Sequence, residues 1–141
     1  MVKKYLIDTC VWRDFYENRF SKNKKPLGKY ATKLFTKIIN NNSQILFSKS
    51  LILELKNDYD EKEINDMLNL LFFNKILKKI EITKEEYSEA KRLVKERNIP
   101  FIDCLNAVQA RNHKAIMVTQ DKHFFQKLND IVKAKRPQEI I

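Results

Sequence analysis

The chain has 141 residues, enough for one domain that buries its own core without staples. It is 43% hydrophobic and 33% charged, as in a globular protein with a heavy share of charge. No apolar run approaches the roughly 18 residues of a membrane span, and Asp8 interrupts the N-terminal segment too early for a signal-peptide core. Twenty-eight Lys and Arg against 18 Asp and Glu leave a net charge of +10, which suits a polyanion such as nucleic acid.

Gly28 is the single glycine. A Walker-type loop or a dinucleotide fingerprint needs several glycines to let backbone approach phosphate, so no nucleotide cofactor of those kinds is expected. Cys10 and Cys104 do not form a disulfide framework, and no CxxC-type spacing points to zinc. These features together predict a cytoplasmic protein without a membrane segment.

In chain order, Tyr5-Leu6-Ile7 reads as a buried strand stopped by Asp8, because a strand covered on both faces is apolar throughout. A helix is expected from Val11 to Glu17, then a basic loop from Ser21 to Pro26, then a helix from Lys29 to Ile39. Gln44 to Phe47 is a second strand, and Ser48 suits an N-cap for a helix running to about Asn57. Asp60 suits the next cap, for a helix with Ile64, Met67, Leu68, Leu71 and Phe72 on one side. Lys79 to Ile82 reads as a third strand. Thr83 with Glu86 forms a capping box that opens a helix to Arg97. Phe101 to Asn112 is helical, Ala115 to Val118 is a fourth strand, and Asp121 to Leu128 is a short helix. Ile131-Val132 reads as an edge strand, and residues 133–141 as a loose basic tail of a single domain spanning 1–141. Alternation of strands and helices predicts a parallel sheet of four to five strands with helices on both faces, a three-layer α/β/α domain.

In such sheets the functional crevice lies beyond the carboxyl ends of the strands. Asp8 ends one strand, and Asp121 follows another by three residues. Asp8 and Asp121 each have a plainer reading as N-caps. Glu54 stands between Leu51 and Leu55 in an otherwise apolar turn, or is simply a surface glutamate. Asp103 shares a helix face with the small residues Ala107 and Ala110, which leaves room to reach a strand end; its plainer reading is an acid favoured by the helix dipole. Taken together, four acids at these places can converge. Carboxylates that converge without basic partners repel and want a divalent cation, and hard oxygen donors favour Mg²⁺ or Mn²⁺. One or two such ions activate water and clamp the oxygens of a phosphodiester displacement.

Leu6-Ile7-Asp8-Thr9, Glu54 on a helix after the second strand, Asp103-x-x-x-Ala107-x-x-Ala110, and Val118-Thr119-Gln120-Asp121-Lys122-His123-Phe124 resemble PIN-domain proteins in order and spacing. The last two segments are the most specific. The resemblance implies a PIN-like doubly wound sheet and Mg²⁺- or Mn²⁺-dependent cleavage of single-stranded RNA leaving a 5′-phosphate. It implies that Asp8, Glu54, Asp103 and Asp121 carry the metal and catalysis, with Thr9 and Thr119 in support. The size is similar to stand-alone toxins of the VapC type, which pair with a small antitoxin and often form homodimers. Two positions depart from the common pattern. Cys10 stands where asparagine is frequent, and His123 stands where many members carry a further acid; His123 is expected to face solvent.

The basic residues Lys22, Lys24 and Lys25, with Lys133, Lys135 and Arg136 in the tail, are candidates for an RNA path, against a plain solvated surface. The alternative function is a non-catalytic RNA-binding module on the same fold. A receiver-like regulatory domain would want an acidic pair near the first strand, where Tyr5, Leu6 and Ile7 stand instead.

Overall fold

In the computed structural model, which describes residues 2–141, the first strand β1 (Lys4–Ile7) is apolar because both of its faces are covered. Tyr5 and Ile7 enter one core and Leu6 enters another, the period-two alternation of a strand held between two helical layers. Ile45 and Leu46 divide in the same way on β2 (Gln44–Phe47). The first core is filled from α1 (Thr9–Glu17), α2 (Leu27–Asn40), α3 (Lys49–Leu55) and α4 (Glu61–Phe73), through Trp12, Leu34, Leu55 and Met67. The second is filled from α5 (Lys84–Arg97), α6 (Phe101–Asn112) and α7 (Lys122–Gln126), through Leu93, Leu105 and Phe124.

With β3 (Leu77–Lys79), β4 (Ile116–Val118) and β5 (Ala134–Lys135), the sheet is fully parallel in the order β3-β2-β1-β4-β5. The chain steps outward from β1 to β2 and β3, then crosses back to pair β4 on the other side of β1. The order reverses between β1 and β4. Loops leaving the strands there diverge and open a crevice. Asp8 follows β1 and Thr119 follows β4, so both stand at this point.

The elements start and stop where local chemistry directs. Asp60 and Glu63, and Thr83 and Glu86, make reciprocal capping boxes at α4 and α5. Asn18 and Asn98 close α1 and α5 in the left-handed region, at φ 51° and 54°. Gly28 is required by close approach: a Cβ there would lie 2.5 Å from the Cα of Asn18 and 2.7 Å from the carbonyl oxygen of Asp14. The start of α2 therefore rests on the end of α1, and the Gly28 N–H donates to the Arg19 carbonyl at 2.9 Å.

Several expectations are corrected. The third strand lies at Leu77–Lys79 rather than 79–82, because Ile76 turns directly off α4 and its carbonyl accepts from Ile45 N–H at 2.9 Å, which sets the register with β2. The edge strand is Ala134–Lys135 rather than Ile131-Val132; the latter pair turns on Leu128 and packs partly into the second core. The first helix starts two residues earlier, at Thr9, and the last ends at Gln126, short of Leu128. Phe72 lies past the face formed by Ile64, Met67, Leu68 and Leu71, and is 58% exposed. Residues expected as a loose tail are fixed: Lys135 pairs with Val118, Pro137–Glu139 forms a 3₁₀ turn, and Lys37 Nζ donates to the Ile140 carbonyl at 2.7 Å. Among the described residues, no helix is long and apolar enough to cross a membrane.

Candidate metal centre

Asp8 has both carboxylate oxygens engaged. It caps α1, with Oδ1 accepting from the Thr9 N–H at 2.8 Å, and Oδ2 accepts from Thr119 Oγ1 at 2.7 Å. Cys10 Sγ lies 3.5 Å from the same Oδ2. Thr119 is fully buried, and its hydroxyl also accepts from the Asp121 N–H at 2.9 Å. One hydroxyl thus ties the exit of β4 to the exit of β1 and orients two of the four acids. The cap and site readings of Asp8 are compatible, since a buried capping carboxylate can still present its lone pairs to the crevice.

Glu54, half-buried in the last turn of α3, accepts a hydrogen bond from Thr9 Oγ1. Arg13 reaches the Glu54 carbonyl oxygen at 3.4 Å and pairs with Asp58 at 2.8 Å. These contacts hold α3 against α1 and set Glu54 beside Asp8.

Asp103 enters from the opposite layer, in the first turn of α6, and is only 8% exposed. The N-cap of this helix is Pro100, and no side-chain cap hydrogen bond closes its first turn. Burial, then the negative charges of Asp8, Asp121 and, more weakly, Glu54, push its pKa up to about 7, partly offset by His123. The Asp8 pKa is raised too, by burial first and by Glu54, against the pull of its hydrogen bonds to Thr119, Cys10 and Thr9. Both acids sense Glu54, and Asp103 senses all three of the others. That is the electrostatic signature of carboxylates sharing one crevice.

Asp121 caps α7 and accepts from the His123 N–H at 2.9 Å. The turn folds the His123 ring back over its own cap: Nδ1 lies 3.4 Å from Asp121 Oδ1 and 3.5 Å from Asp103 Oδ2. The ring is therefore part of the acidic group rather than facing solvent as expected. Donor atoms of Asp103, Asp121 and His123 all lie within 4.8 Å of one another. Asp8 and Glu54 stand outside that tight group and join it through Thr119 and through their charges.

The donor set fits a divalent cation. Among the described residues, no lysine or arginine forms an ion pair with any of the four acids; Arg13 and Arg19 pair instead with Asp58 and Asp14. His123 Nδ1 is buried without a hydrogen-bond partner. Uncompensated buried charge and an orphaned nitrogen in one place are costly unless an ion completes them. Cys10 and Cys104 are free thiols, each held protonated by burial, Cys104 with its pKa pushed up to about 11.

A cavity of about 400 Å³ opens beside Asp121, lined by Cys10, Asp14, Arg19, Phe20, Leu27 and Gln120. Lys22, Lys24 and Lys25 are exposed on the loop that borders it. Lys133 and Lys135 are also exposed, whereas the Arg136 guanidinium sits over the Phe125 ring at 4.0 Å and 3.7 Å from Glu139. None of the six basic side chains enters the acidic group.

A doubly wound parallel sheet with buried acids at its switch point defines an α/β domain built to concentrate negative charge at one edge. The sequence matches the PIN domain family over residues 5–130, nearly the whole chain, and the protein belongs to that family. No curated protein matches it in sequence. Among solved structures, the chain resembles VapBC2 from Rickettsia felis bound to a DNA fragment from their promoter, at 17% identity and TM-score 0.63, covering 94% of this chain and 98% of that one. It also resembles a toxin–antitoxin complex from Klebsiella pneumoniae, at 15% identity and TM-score 0.61, covering 88% and 92%. A protein from Pyrobaculum aerophilum matches at 17% identity and TM-score 0.61, covering 99% and 86%.

Proposed function

We propose that this protein is a Mg²⁺- or Mn²⁺-dependent endoribonuclease, the toxin of a toxin–antitoxin pair. The observation that carries the reading is the position of Asp103, whose carboxyl is raised to about 7 chiefly by burial and by the charges of Asp8 and Asp121. Mutual repulsion of that kind has no structural benefit and suits a site that takes up positive charge. The toxin assignment rests on family membership and on the two toxin–antitoxin structures that share the fold.

In this reading Asp8, Glu54, Asp103 and Asp121 hold the ion, Thr119 orients Asp8 and Asp121, and Thr9 orients Glu54. A divalent ion supplies Lewis-acid stabilisation of phosphoryl oxygens and a lowered pKa for attacking water. The protein's own part is to fix the carboxylates before substrate arrives, which removes reorganisation from the reaction. Lys22, Lys24 and Lys25 attract the phosphate backbone. Phe20, 63% exposed at the mouth of the cavity beside Asp121, offers a face on which an unpaired base can stack. A single-stranded RNA substrate follows from that combination. A small antitoxin protein and a second copy of the chain are the expected partners, and exposed Leu70, Phe72 and Phe73 on α4 supply apolar surface for such contacts.

The test is cleavage of a labelled single-stranded RNA by purified protein. Cleavage is expected with Mg²⁺ or Mn²⁺, and none is expected in chelator or from Asp8→Asn or Asp103→Asn. In bacteria, induced wild type is expected to arrest growth and Asp8→Asn to permit it. Undiminished cleavage by purified Asp8→Asn protein would reject the proposal, and tight RNA binding without cleavage under any metal would favour the non-catalytic module.

A further inference from the structure

We propose that His123 is a nitrogen ligand of the centre and that its imidazole makes the site select Mn²⁺ over Mg²⁺. The inference rests on the metal-dependent reading above and adds to it a ligand of a different chemical kind.

The distances carry the argument. Nδ1 stands 3.4 Å from Asp121 Oδ1 and 3.5 Å from Asp103 Oδ2. Hydrogen bonds between a ring nitrogen and a carboxylate fall at about 2.7–3.2 Å. Two donors that each lie about 2.0–2.3 Å from one ion, at roughly right angles or slightly wider, stand about 2.9–3.6 Å apart. The ring is therefore too far from both oxygens for good hydrogen bonds and at the separation of atoms that share an ion. The nitrogen is also buried with no hydrogen-bond partner. Leaving such a group unsatisfied is costly, so it calls for a missing partner. With acid oxygens on two sides, a cation is the partner that also relieves their repulsion.

The ring is held in that place from two directions. Its backbone N–H is bonded to Asp121 Oδ1, which fixes its Cα against the cap, and Phe124 next to it is fully buried in the second core. Asp103 arrives from α6, a separate element. Two independent parts of the fold thus converge on one nitrogen.

The consequence for the ion follows from ligand chemistry. Mg²⁺ demands oxygen donors, whereas first-row transition ions accept imidazole readily. An imidazole nitrogen in the shell is a softer donor than a carboxylate oxygen, and that difference weakens Mg²⁺ more than Mn²⁺.

The test uses Mn²⁺ itself as the probe, on the full chain. Electron spin-echo envelope modulation of Mn²⁺-loaded wild type is expected to show directly coordinated ¹⁴N, and His123→Asp is expected to bind Mn²⁺ without it. Competition titrations are expected to show the Mn²⁺-over-Mg²⁺ preference of wild type falling about tenfold in His123→Asp, the low end of effects seen when ligand shells are altered. His113→Asp, which changes the other histidine, is expected to change neither signal. Mn²⁺ bound by wild type without nitrogen modulation would overturn this proposal alone and leave His123 as a neighbour of the acids. Absence of any Mn²⁺ binding would overturn both this proposal and the metal centre beneath it. Circular dichroism melts of the variants confirm that each is folded.

Discussion

Replacing Asp103 with asparagine is expected to make the metal-free protein more stable while destroying its activity. Asp103 is nearly buried, and burial with the charges of Asp8 and Asp121 moves its carboxyl from 3.8 to about 7. In the unfolded chain the group ionises near its ordinary value, so the folded state retains a proton that the unfolded state has released. The sign follows: with more protons bound when folded, stability falls as pH rises from about 4 to about 7, and the penalty is complete above that. A shift of this size would correspond to at most about 4 kcal/mol. Because the charge is shared with neighbours and partly reached by solvent, about 1–2 kcal/mol is the expected effect. For a chain of this length that is a rise in Tm of about 3–7 °C. The assay is thermal unfolding in chelator at pH 8 and again at pH 5, wild type beside Asp103→Asn. The variant should melt higher at pH 8 and by a clearly smaller margin at pH 5, where only about one pH unit of the window between the unfolded and folded values has been crossed. A variant that melts lower than wild type at pH 8, or that gains equally at both values, would refute the electrostatic reasoning.

Thr119→Val keeps shape but removes the hydroxyl that serves both Asp8 and Asp121; a loss of about 1–3 kcal/mol in urea unfolding and of about 10- to 100-fold in Mn²⁺ affinity by calorimetry is expected. Gly28→Ala drives a methyl group into the backbone at the end of α1 and should cost about 1–3 kcal/mol or more, because two of the three contact atoms, the Asn18 Cα and the Asp14 carbonyl oxygen, are main chain and cannot rotate away; an unchanged urea midpoint would show that the helices do not meet as described. Replacing Lys22, Lys24 and Lys25 with glutamine should reduce the salt dependence of RNA binding by up to about two units of log–log slope, at about 0.7 per single-strand phosphate contact. Unaltered slope would remove that loop from the RNA path.

The fold was legible wherever one local rule acted alone. Tyr5-Leu6-Ile7 is covered on both faces and shows it in every residue, and the cap at Asp60 and the capping box at Thr83 mark helix starts without tertiary help. The edges were harder to read. Each edge strand has one ladder neighbour, so β3 and β5 are placed by the turns that deliver them, at Ile76 and Leu128, rather than by their own apolarity. Ile131 and Val132 are apolar because they pack on the second core, not because they are strand.

The acidic residues were legible from their places after strands and on α3 and α6. The links between them were not. Thr9 to Glu54, 45 positions apart, and Thr119 to Asp8, 111 apart, meet only once the sheet order is set. The solvent-facing place expected for His123 is the usual one for a histidine in a short helix. Its orientation depends on Asp103 arriving from another layer, which no local pattern encodes.

Crystals soaked in Mn²⁺ and measured for anomalous scattering address the core of this account most directly. A single strong peak bounded by Asp8, Glu54, Asp103 and Asp121, with the His123 ring against it, is the expected result. Saturating Mn²⁺ that leaves that crevice without a peak would contradict it.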